Sequence, residues 1–415
     1  MNRWKMRFSS IWAGQMMSSL GSAVARFALI WWVTKLTGSA TVLALATSLT
    51  FLPKILIAPF AGVIVDRHSR RLIMIISDAF IALASLWLAY LFWKGSMQIW
   101  HVYVVMFARA VGNAFYRPAS RASFTLLIPK KQYGRLEGLN LTRSGILEVV
   151  GPALGALAIA WFPLHSVMLL DVATAALAIG PLLVFAIPQP AVESTSAGKR
   201  NSYMSDFMDG LRYIIGWRSL LIFVGVAAVV NFMLASASGL VPMLVYEGFA
   251  GDASMLAWFE SLFGIGLIGG GLLLSIWGGG RRRMLVVFGG IAGLGGMLLI
   301  PAWTPTSMWF VAVAGFGFLG ALFAVTQGSI SATLRELVDP AKQGRFYSLF
   351  SSLMTASVPL GLMVAGAVAD RLGMRFWYAL AGITLVLAGS AGLVFPVLRR
   401  VENEADASPG LARWG

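Results

Sequence analysis

The chain has 415 residues, of which 58% are hydrophobic and 12% are charged, and its mean hydropathy is +0.79. An average soluble domain carries about 25% charged residues, so this composition excludes an ordinary soluble enzyme. Cysteine is absent, and His68, His101 and His165 are far apart in sequence. These facts exclude a disulfide framework and leave little material for a metal site. We expect no metal, no cofactor and no enzymatic activity.

Apolar segments long enough to cross a bilayer follow one another along nearly the whole chain. A crossing needs roughly 20 mostly apolar residues, and little sequence is left for a large soluble domain. We therefore predict an all-α membrane protein with twelve transmembrane helices. In chain order the predicted spans are 9–34, 41–65, 72–93, 98–116, 137–161, 165–187, 219–245, 254–277, 284–302, 308–333, 346–369 and 376–397.

The basic residues are concentrated in alternate loops between the predicted spans. The chain carries 32 Lys and Arg against 17 Asp and Glu, a formal net charge of +15. With a cytoplasmic N-terminus, the outer loops receive only Lys35, Lys94, Arg371 and Arg375. Cytoplasmic loops carry an excess of Lys and Arg. The sequence therefore predicts a multi-pass protein of the bacterial cytoplasmic (inner) membrane with both termini cytoplasmic. Because this topology accounts for the positive charge, we expect no nucleic-acid partner.

The two halves of the chain are weakly similar to each other. At an offset of about 210 residues, Gly134-Arg135 aligns with Gly344-Arg345, and Gly151 aligns with Gly361. An offset of six spans relates the halves as parallel repeats, which is an architecture of secondary transporters. We predict a six-helix bundle over 1–188, a cytoplasmic linker over 189–218, a second six-helix bundle over 219–398 and a cytoplasmic tail over 399–415. We expect a monomer in the lipid bilayer.

The loop after the second predicted span reads Gly62-Val-Ile-Val-Asp66-Arg67-His-Ser-Arg70-Arg71. It resembles the signature loop of the major facilitator superfamily, with Ser69 where that family has its second glycine. The resemblance implies the major facilitator fold, two parallel six-helix repeats. It also implies a conformational latch at the cytoplasmic ends of the halves, formed by Gly62, Asp66, Arg67, Arg70 and Arg71 against Gly344 and Arg345.

Further stretches point to a particular branch of that superfamily. Gly151-Pro152-Ala-Leu-Gly155 resembles the antiporter motif of exporting facilitators, with Ala156 where a final glycine is common. The segments around Phe27–Val33 and Arg109–Ala119 resemble the macrolide-efflux and enterobactin-exporter branch. The resemblance implies export and a role in drug resistance.

Ionisable side chains inside predicted spans are candidates for function, because each is costly in the bilayer. A carrier that moves protons needs a buried carboxyl, so the proton-coupling candidates are Glu148, Glu260 and Asp78, with Arg109 added by the resemblance. Asp171 lies near a predicted span end and is expected to snorkel to the interface or to make helix-terminal contacts. Lys54 can meet an anionic substrate or neutralise Glu260, and both options stay open. The substrate-cavity candidates are Gln15, Arg26, Lys54 and Trp258.

One glycine motif is interpreted as helix packing. Gly264-Ile-Gly266-Leu-Ile-Gly269 matches the dinucleotide-binding fingerprint, but it lies inside an apolar span rather than after a strand. Taken together, the sequence predicts a secondary active transporter that exports an amphipathic organic compound in exchange for protons. The alternatives are a nutrient importer driven by proton symport and a membrane sensor that transports nothing.

Overall fold

The computed structural model describes residues 3–187, 216, 218–278, 283–338 and 343–394, and every regular element within these ranges is helical. The side chains of Asp66 and Arg345 also lie outside the described part of the protein. Apart from 216 and 218, the predicted linker and the predicted tail fall outside it as well, so their boundaries stay a prediction.

The helices follow one another with short connections, and we number them in chain order. They are α1 (Arg3–Thr37), α2 (Ala40–Leu49), α3 (Leu52–Leu56), α4 (Ala58–Arg67), α5 (Arg70–Lys94), α6 (Ile99–Leu127), α7 (Tyr133–Trp161), α8 (Leu164–Val184), α9 (Arg218–Gly239), α10 (Val241–Met243), α11 (Ala253–Trp277), α12 (Arg283–Trp303), α13 (Trp309–Leu337), α14 (Gln343–Leu372) and α15 (Met374–Val394). Short 3₁₀ turns occupy Lys130–Gln132 and Thr306–Met308, and a π turn occupies Leu244–Gly248.

Ten helices within the described ranges are long and apolar enough to cross a membrane: α1, α5, α7, α8, α9, α11, α12, α13, α14 and α15. The prediction of an all-helical membrane protein is confirmed, whereas the count of twelve spans stays a prediction. The second predicted span is broken into α2, α3 and α4. Pro53 and Pro59 stand in the first turns of α3 and α4, where a residue without an N–H group is tolerated.

The fourth predicted span is longer than its sequence suggested. We expected it to end at residue 116, but α6 continues to Leu127. It does so although Pro118 lies inside the helix, because neighbouring groups in a bundle can satisfy the carbonyl that a proline leaves free. Arg117, which the hydropathy profile placed in a loop, therefore lies inside a helix, ten residues before its end.

The chain divides into two compact units. The first unit comprises Met1–Thr195 and Gly239–Ser261, and the second comprises Ser196–Ser238 and Leu262–Gly415. In the first unit, α1 and α5 both pack against α8, around a core that includes Leu29, Leu88 and Met168. In the second unit, α12 packs against α13 and α15. There the buried Tyr378 hydroxyl donates to the Ala237 carbonyl at 2.6 Å and ties α15 to α9.

Candidate functional site

The interior of the first unit contains a buried ion pair. The Arg109 guanidinium on α6 pairs with the Asp171 carboxylate on α8, and it also donates to the Ser85 hydroxyl on α5. Asp171 is only 1% exposed. Its carboxylate accepts a further hydrogen bond from Ser85 at 2.6 Å and one from Ser22, on α1, at 2.8 Å. Four helices therefore meet at one carboxylate whose charge is balanced and whose oxygens are hydrogen-bonded.

A second buried carboxyl belongs to Asp78, on α5. The Gln15 side-chain amide, on α1, donates to Asp78 Oδ2 at 3.0 Å, and the Tyr116 hydroxyl, on α6, donates to Gln15 Oε1. Asp78 is 5% exposed and Gln15 is 1% exposed. Over the described ranges Asp78 makes no ion pair. The chain Tyr116–Gln15–Asp78 thus holds a buried carboxyl through neutral partners.

Basic side chains from four helices form a cluster in the same unit, which we call the cation cluster: Arg26 on α1, Lys54 on α3, Arg117 on α6 and Arg143 on α7. Arg26 and Arg117 are charged neighbours of Lys54, and Arg26 and Arg143 are charged neighbours of Arg117. Arg143 also lies beside the Tyr116 hydroxyl. The cluster is therefore adjacent to the hydrogen-bonded chain that ends at Asp78.

The two carboxylates favoured by sequence for proton coupling are less enclosed than Asp78. Glu148, on α7, is exposed and Glu260, on α11, is half-buried. Glu260 has Arg26 and Glu148 as charged neighbours. Lys54 does not form an ion pair with Glu260 in the part of the chain that the structure describes. Trp258 is 56% exposed, so its side chain is available to a ligand or to lipid.

Two arginines of the signature loop approach backbone carbonyls of helices in their own unit. The Arg71 guanidinium donates to the Leu182 and Leu183 carbonyls in the last turn of α8, the second at 2.6 Å. The Arg70 guanidinium approaches the Ala122 carbonyl of α6 at 3.5 Å. A cation at a helix C-terminus satisfies free carbonyls and stabilises the helix dipole. Arg67 is exposed.

The antiporter-like motif of α7 packs against α1. Gly151, Pro152 and Gly155 are buried. A Cβ atom built on Gly155 would lie 2.7 Å from the ring of Phe27, and one built on Gly151 would lie 3.0 Å from the Ala23 Cβ. The absence of side chains at these positions therefore permits close contact between α7 and α1, as small residues do in membrane helices. Among the described residues, outside the helix's own backbone, no heavy atom lies within 4 Å of a Cβ built on Gly62 or Gly344.

The second unit contains a cavity of about 280 Å³ between α9, α12, α13 and α14. Its lining side chains are uncharged and include Asn231, Gln327, Tyr347 and Phe350. The Asn231 amide donates to the Met354 carbonyl and to the Ser357 hydroxyl, both at 2.8 Å. Ligand pockets combine apolar walls with a few polar groups in this way, so the cavity is suited to an uncharged part of a small molecule.

Sequence reasoning located most of the ionisable residues but not their partners. The expectation that Asp171 snorkels or makes helix-terminal contacts is wrong, since the carboxylate binds Arg109 in the interior. Tyr116 and Arg117 were not among the candidate residues. Both could have been proposed from the sequence, because they belong to the stretch Arg109–Ala119 that resembles the exporter branch. Tyr116 lies one helical turn after Gly112, and Arg117 follows it.

The fold and these buried polar sites define an integral membrane protein of the transporter class. The chain belongs to the transmembrane secretion effector family of the major facilitator superfamily, whose model matches residues 4–414. It is 31% identical over 402 residues to macrolide efflux protein A of Streptococcus pyogenes, covering 97% of this chain and 98% of that protein. It is 25% identical to the multidrug efflux pump Tap of Mycobacterium tuberculosis, covering 94% of each chain.

A solved structure of a variant of the nucleoside transporter NupG shares the fold. The TM-score is 0.76 at 13% sequence identity, and the match covers 94% of this chain and 99% of that one. The family assignment confirms the resemblance to the major facilitator superfamily. It places the chain among multi-pass membrane transporters rather than enzymes, as the sequence predicted.

Proposed function

We propose that this protein exports an amphipathic organic compound from the cytoplasm in exchange for protons, by alternating access. Its relatives are named as macrolide and multidrug efflux proteins, which supports export of bulky organic molecules. The distribution of basic residues supports a location in the bacterial inner membrane with both termini in the cytoplasm. We further propose that the transporter works as a monomer.

The observation that carries the proton coupling is the buried chain Tyr116–Gln15–Asp78. Protonating Asp171 would break its ion pair and leave Arg109 as an unpaired buried cation. Asp78 is held by a neutral amide, so gaining or losing a proton there breaks no ion pair within the described part of the chain. We therefore assign proton carriage to Asp78 in preference to Glu148 and Glu260, with Arg109 as a positioning residue.

In this mechanism the carboxyl of Asp78 alternates between two states. It binds a proton when the site is open to the outside, and it releases the proton when the site is open to the cytoplasm. Gln15 follows the change because its amide can donate to a carboxylate or accept from a carboxylic acid after rotation. The latch of Gly62, Asp66, Arg67, Arg70 and Arg71 with Gly344 and Arg345 would close the cytoplasmic side while the site faces outward.

The test uses inside-out membrane vesicles with an acidic interior. A macrolide, a lipophilic cation and a catecholate siderophore are added in turn while the internal pH is recorded. We expect at least one compound to dissipate the proton gradient only in vesicles that contain the protein. If a radiolabelled test compound accumulates in the vesicles but no compound dissipates the proton gradient, proton antiport is rejected. Movement of the compound in the opposite direction would indicate uptake, and binding without movement would indicate a sensor.

The matched variants are Asp78→Asn and Glu148→Gln. The first should abolish the proton flux that substrate induces and retain exchange of labelled for unlabelled compound across the membrane, because Asn preserves the acceptor for Gln15. The second should retain both, since Glu148 is exposed. Loss of proton flux in Glu148→Gln alone would transfer the carrier role to that residue. Tyr116→Phe should slow the flux without abolishing it.

A further inference from the structure

The cation cluster is not explained by proton exchange at Asp78. Arg26, Lys54, Arg117 and Arg143 come from four different helices of the first unit. Arg26 and Arg117 are exposed, and Lys54 and Arg143 are half-buried. Arg117 is ten residues before the end of α6 and Arg143 is ten residues after the start of α7, about 15 Å along each helix axis. Arg26, Lys54 and Arg143 also fall inside predicted spans, where ionisable side chains are costly and mark functional sites by default.

The cluster has few neutralising partners. Across the described ranges none of the four cations makes an ion pair. The Arg143 Nε is buried and has no hydrogen-bond partner among the described residues. The Lys54 Nζ lies 4.5 Å from the centre of the Phe51 ring, an interaction that stabilises a cation only modestly.

The nearby carboxylates do not balance this charge. Glu260 is a neighbour of Arg26, and Glu148 is a neighbour of Glu260. Asp171 is already paired with Arg109. On the positive side, Arg121 adds a fifth cation beside Arg117. Even with Asp78, which lies beside Tyr116 as Arg143 does, three carboxyl groups lie near five cations, so the cluster keeps an excess of positive charge.

We propose that the exported compound is an amphiphile with an anionic group, such as a carboxylate, sulfonate or phosphate, which binds among Arg26, Lys54, Arg117 and Arg143. This inference rests on the proposed function and specifies its substrate class. Guanidinium groups bind such oxyanions through parallel charge-assisted hydrogen bonds. The buried, unpartnered Arg143 Nε supplies one donor for such a contact.

The location of the cluster also connects the anion with the proton site. Arg143 lies beside the Tyr116 hydroxyl, which donates to Gln15, which in turn donates to Asp78. An anion bound to Arg143 would therefore lie near Tyr116, the first member of the chain that ends at the proton carrier. This arrangement gives substrate binding a direct physical route to the protonation state of Asp78.

The test compares two probes with the same apolar body. A dansyl-labelled undecanoic acid and its primary amide are titrated, by fluorescence, against the full-length protein in nanodiscs of zwitterionic lipid. We expect the acid to bind at least about tenfold more tightly than the amide. Equal affinities, tighter binding of the amide, or no binding of either probe would overturn the inference.

Variants locate the effect. Arg117→Gln and Lys54→Gln should each reduce the acid's advantage about three- to tenfold and leave the amide's affinity unchanged. Lys54→Arg should keep the advantage, since it preserves the charge. The matched control is Lys94→Gln, an exposed cation in the last turn of α5, which should change neither affinity. An advantage that survives in both cluster variants, or is lost in the control, would overturn the assignment.

Two further measurements separate the explanations. If anionic phosphatidylglycerol in the nanodisc abolishes the acid's advantage, the cations bind lipid headgroups and the inference fails. Vesicle transport of a macrolide is then measured independently. Proton-coupled macrolide transport without preference for the acid would sustain the proposed function and reject the anionic substrate. Selective binding of the acid without any transport would sustain the anionic ligand and reject the proposed function.

Discussion

Arg109 and Asp171 are 62 residues apart in the chain and form an ion pair in the interior of the first unit. The pair ties α6 to α8, and the Ser22 and Ser85 hydroxyls connect the same carboxylate to α1 and α5. The side chains of Arg109, Asp171, Ser22 and Ser85 are all hydrogen-bonded. The two charges of the ion pair therefore have partners within the apolar interior. We interpret it as a positioning device that fixes the four helices around Asp78.

The ion pair predicts strong coupling between its two residues. Asp171→Asn should lower the free energy of unfolding by about 3–5 kcal/mol, because it leaves the Arg109 cation buried and unpaired. Adding Arg109→Gln to that variant should recover most of the loss. The measurement is the midpoint of denaturation in sodium dodecyl sulfate for the two single variants and the double variant. Additive losses would show that the two side chains act independently.

Close packing of α11 on α13 in the second unit predicts contrasting effects of two neighbouring glycines. A Cβ on Gly266 would clash with the Gly317 carbonyl oxygen, whereas one on Gly269 would meet no heavy atom of the described residues within 4 Å outside its own helix backbone. Gly266→Ala should therefore destabilise the protein by about 1–3 kcal/mol. Gly269→Ala should be neutral or stabilise it by up to about 1 kcal/mol. Equal effects on the denaturation midpoint would contradict this packing.

The antiporter-like motif predicts a packing role for Gly155. Since a Cβ there would lie 2.7 Å from the Phe27 ring, Gly155→Ala should push α7 away from α1 and lower the transport rate at least about tenfold. Gly138→Ala is the control, because Gly138 lies on the same helix and a Cβ there would meet no described residue within 4 Å outside that helix's backbone. Rates are measured in vesicles with matched protein amounts. Wild-type transport by Gly155→Ala would remove the motif from the mechanism.

The latch predicts that two residues of the signature loop act differently. Asp66→Asn should reduce transport at least about tenfold and leave membrane insertion unchanged, if its charge closes the cytoplasmic side. Arg71→Gln should lower stability as well, by about 1–3 kcal/mol, because it removes charged hydrogen bonds to the last carbonyls of α8. Vesicle transport and the denaturation midpoint are compared for both. Transport at the wild-type rate in Asp66→Asn would reject the latch.

The class of protein could be predicted because it depends on composition and on the length of apolar segments, which are properties of the chain alone. The glycine run could be interpreted as helix packing because it lies inside an apolar span. The close approach of Gly266 to Gly317 confirms that interpretation. The partner of Asp171 could not be predicted, since its depth along α8 says nothing about which helices face it. Residue counting also placed Arg117 in a loop. Only the packing of α6 against its neighbours allows the helix to continue past Pro118.

The cation cluster has a consequence for the energy source. An anion that leaves the cell and a proton that enters it shift two charges in the same electrical sense. Each charge is worth about 2.3 kcal/mol per 100 mV of membrane potential. Export through Arg26, Lys54, Arg117 and Arg143 would therefore draw on voltage as well as on acidity. A transporter of this kind would continue to work in an alkaline medium, where the pH gradient vanishes and the interior-negative potential remains.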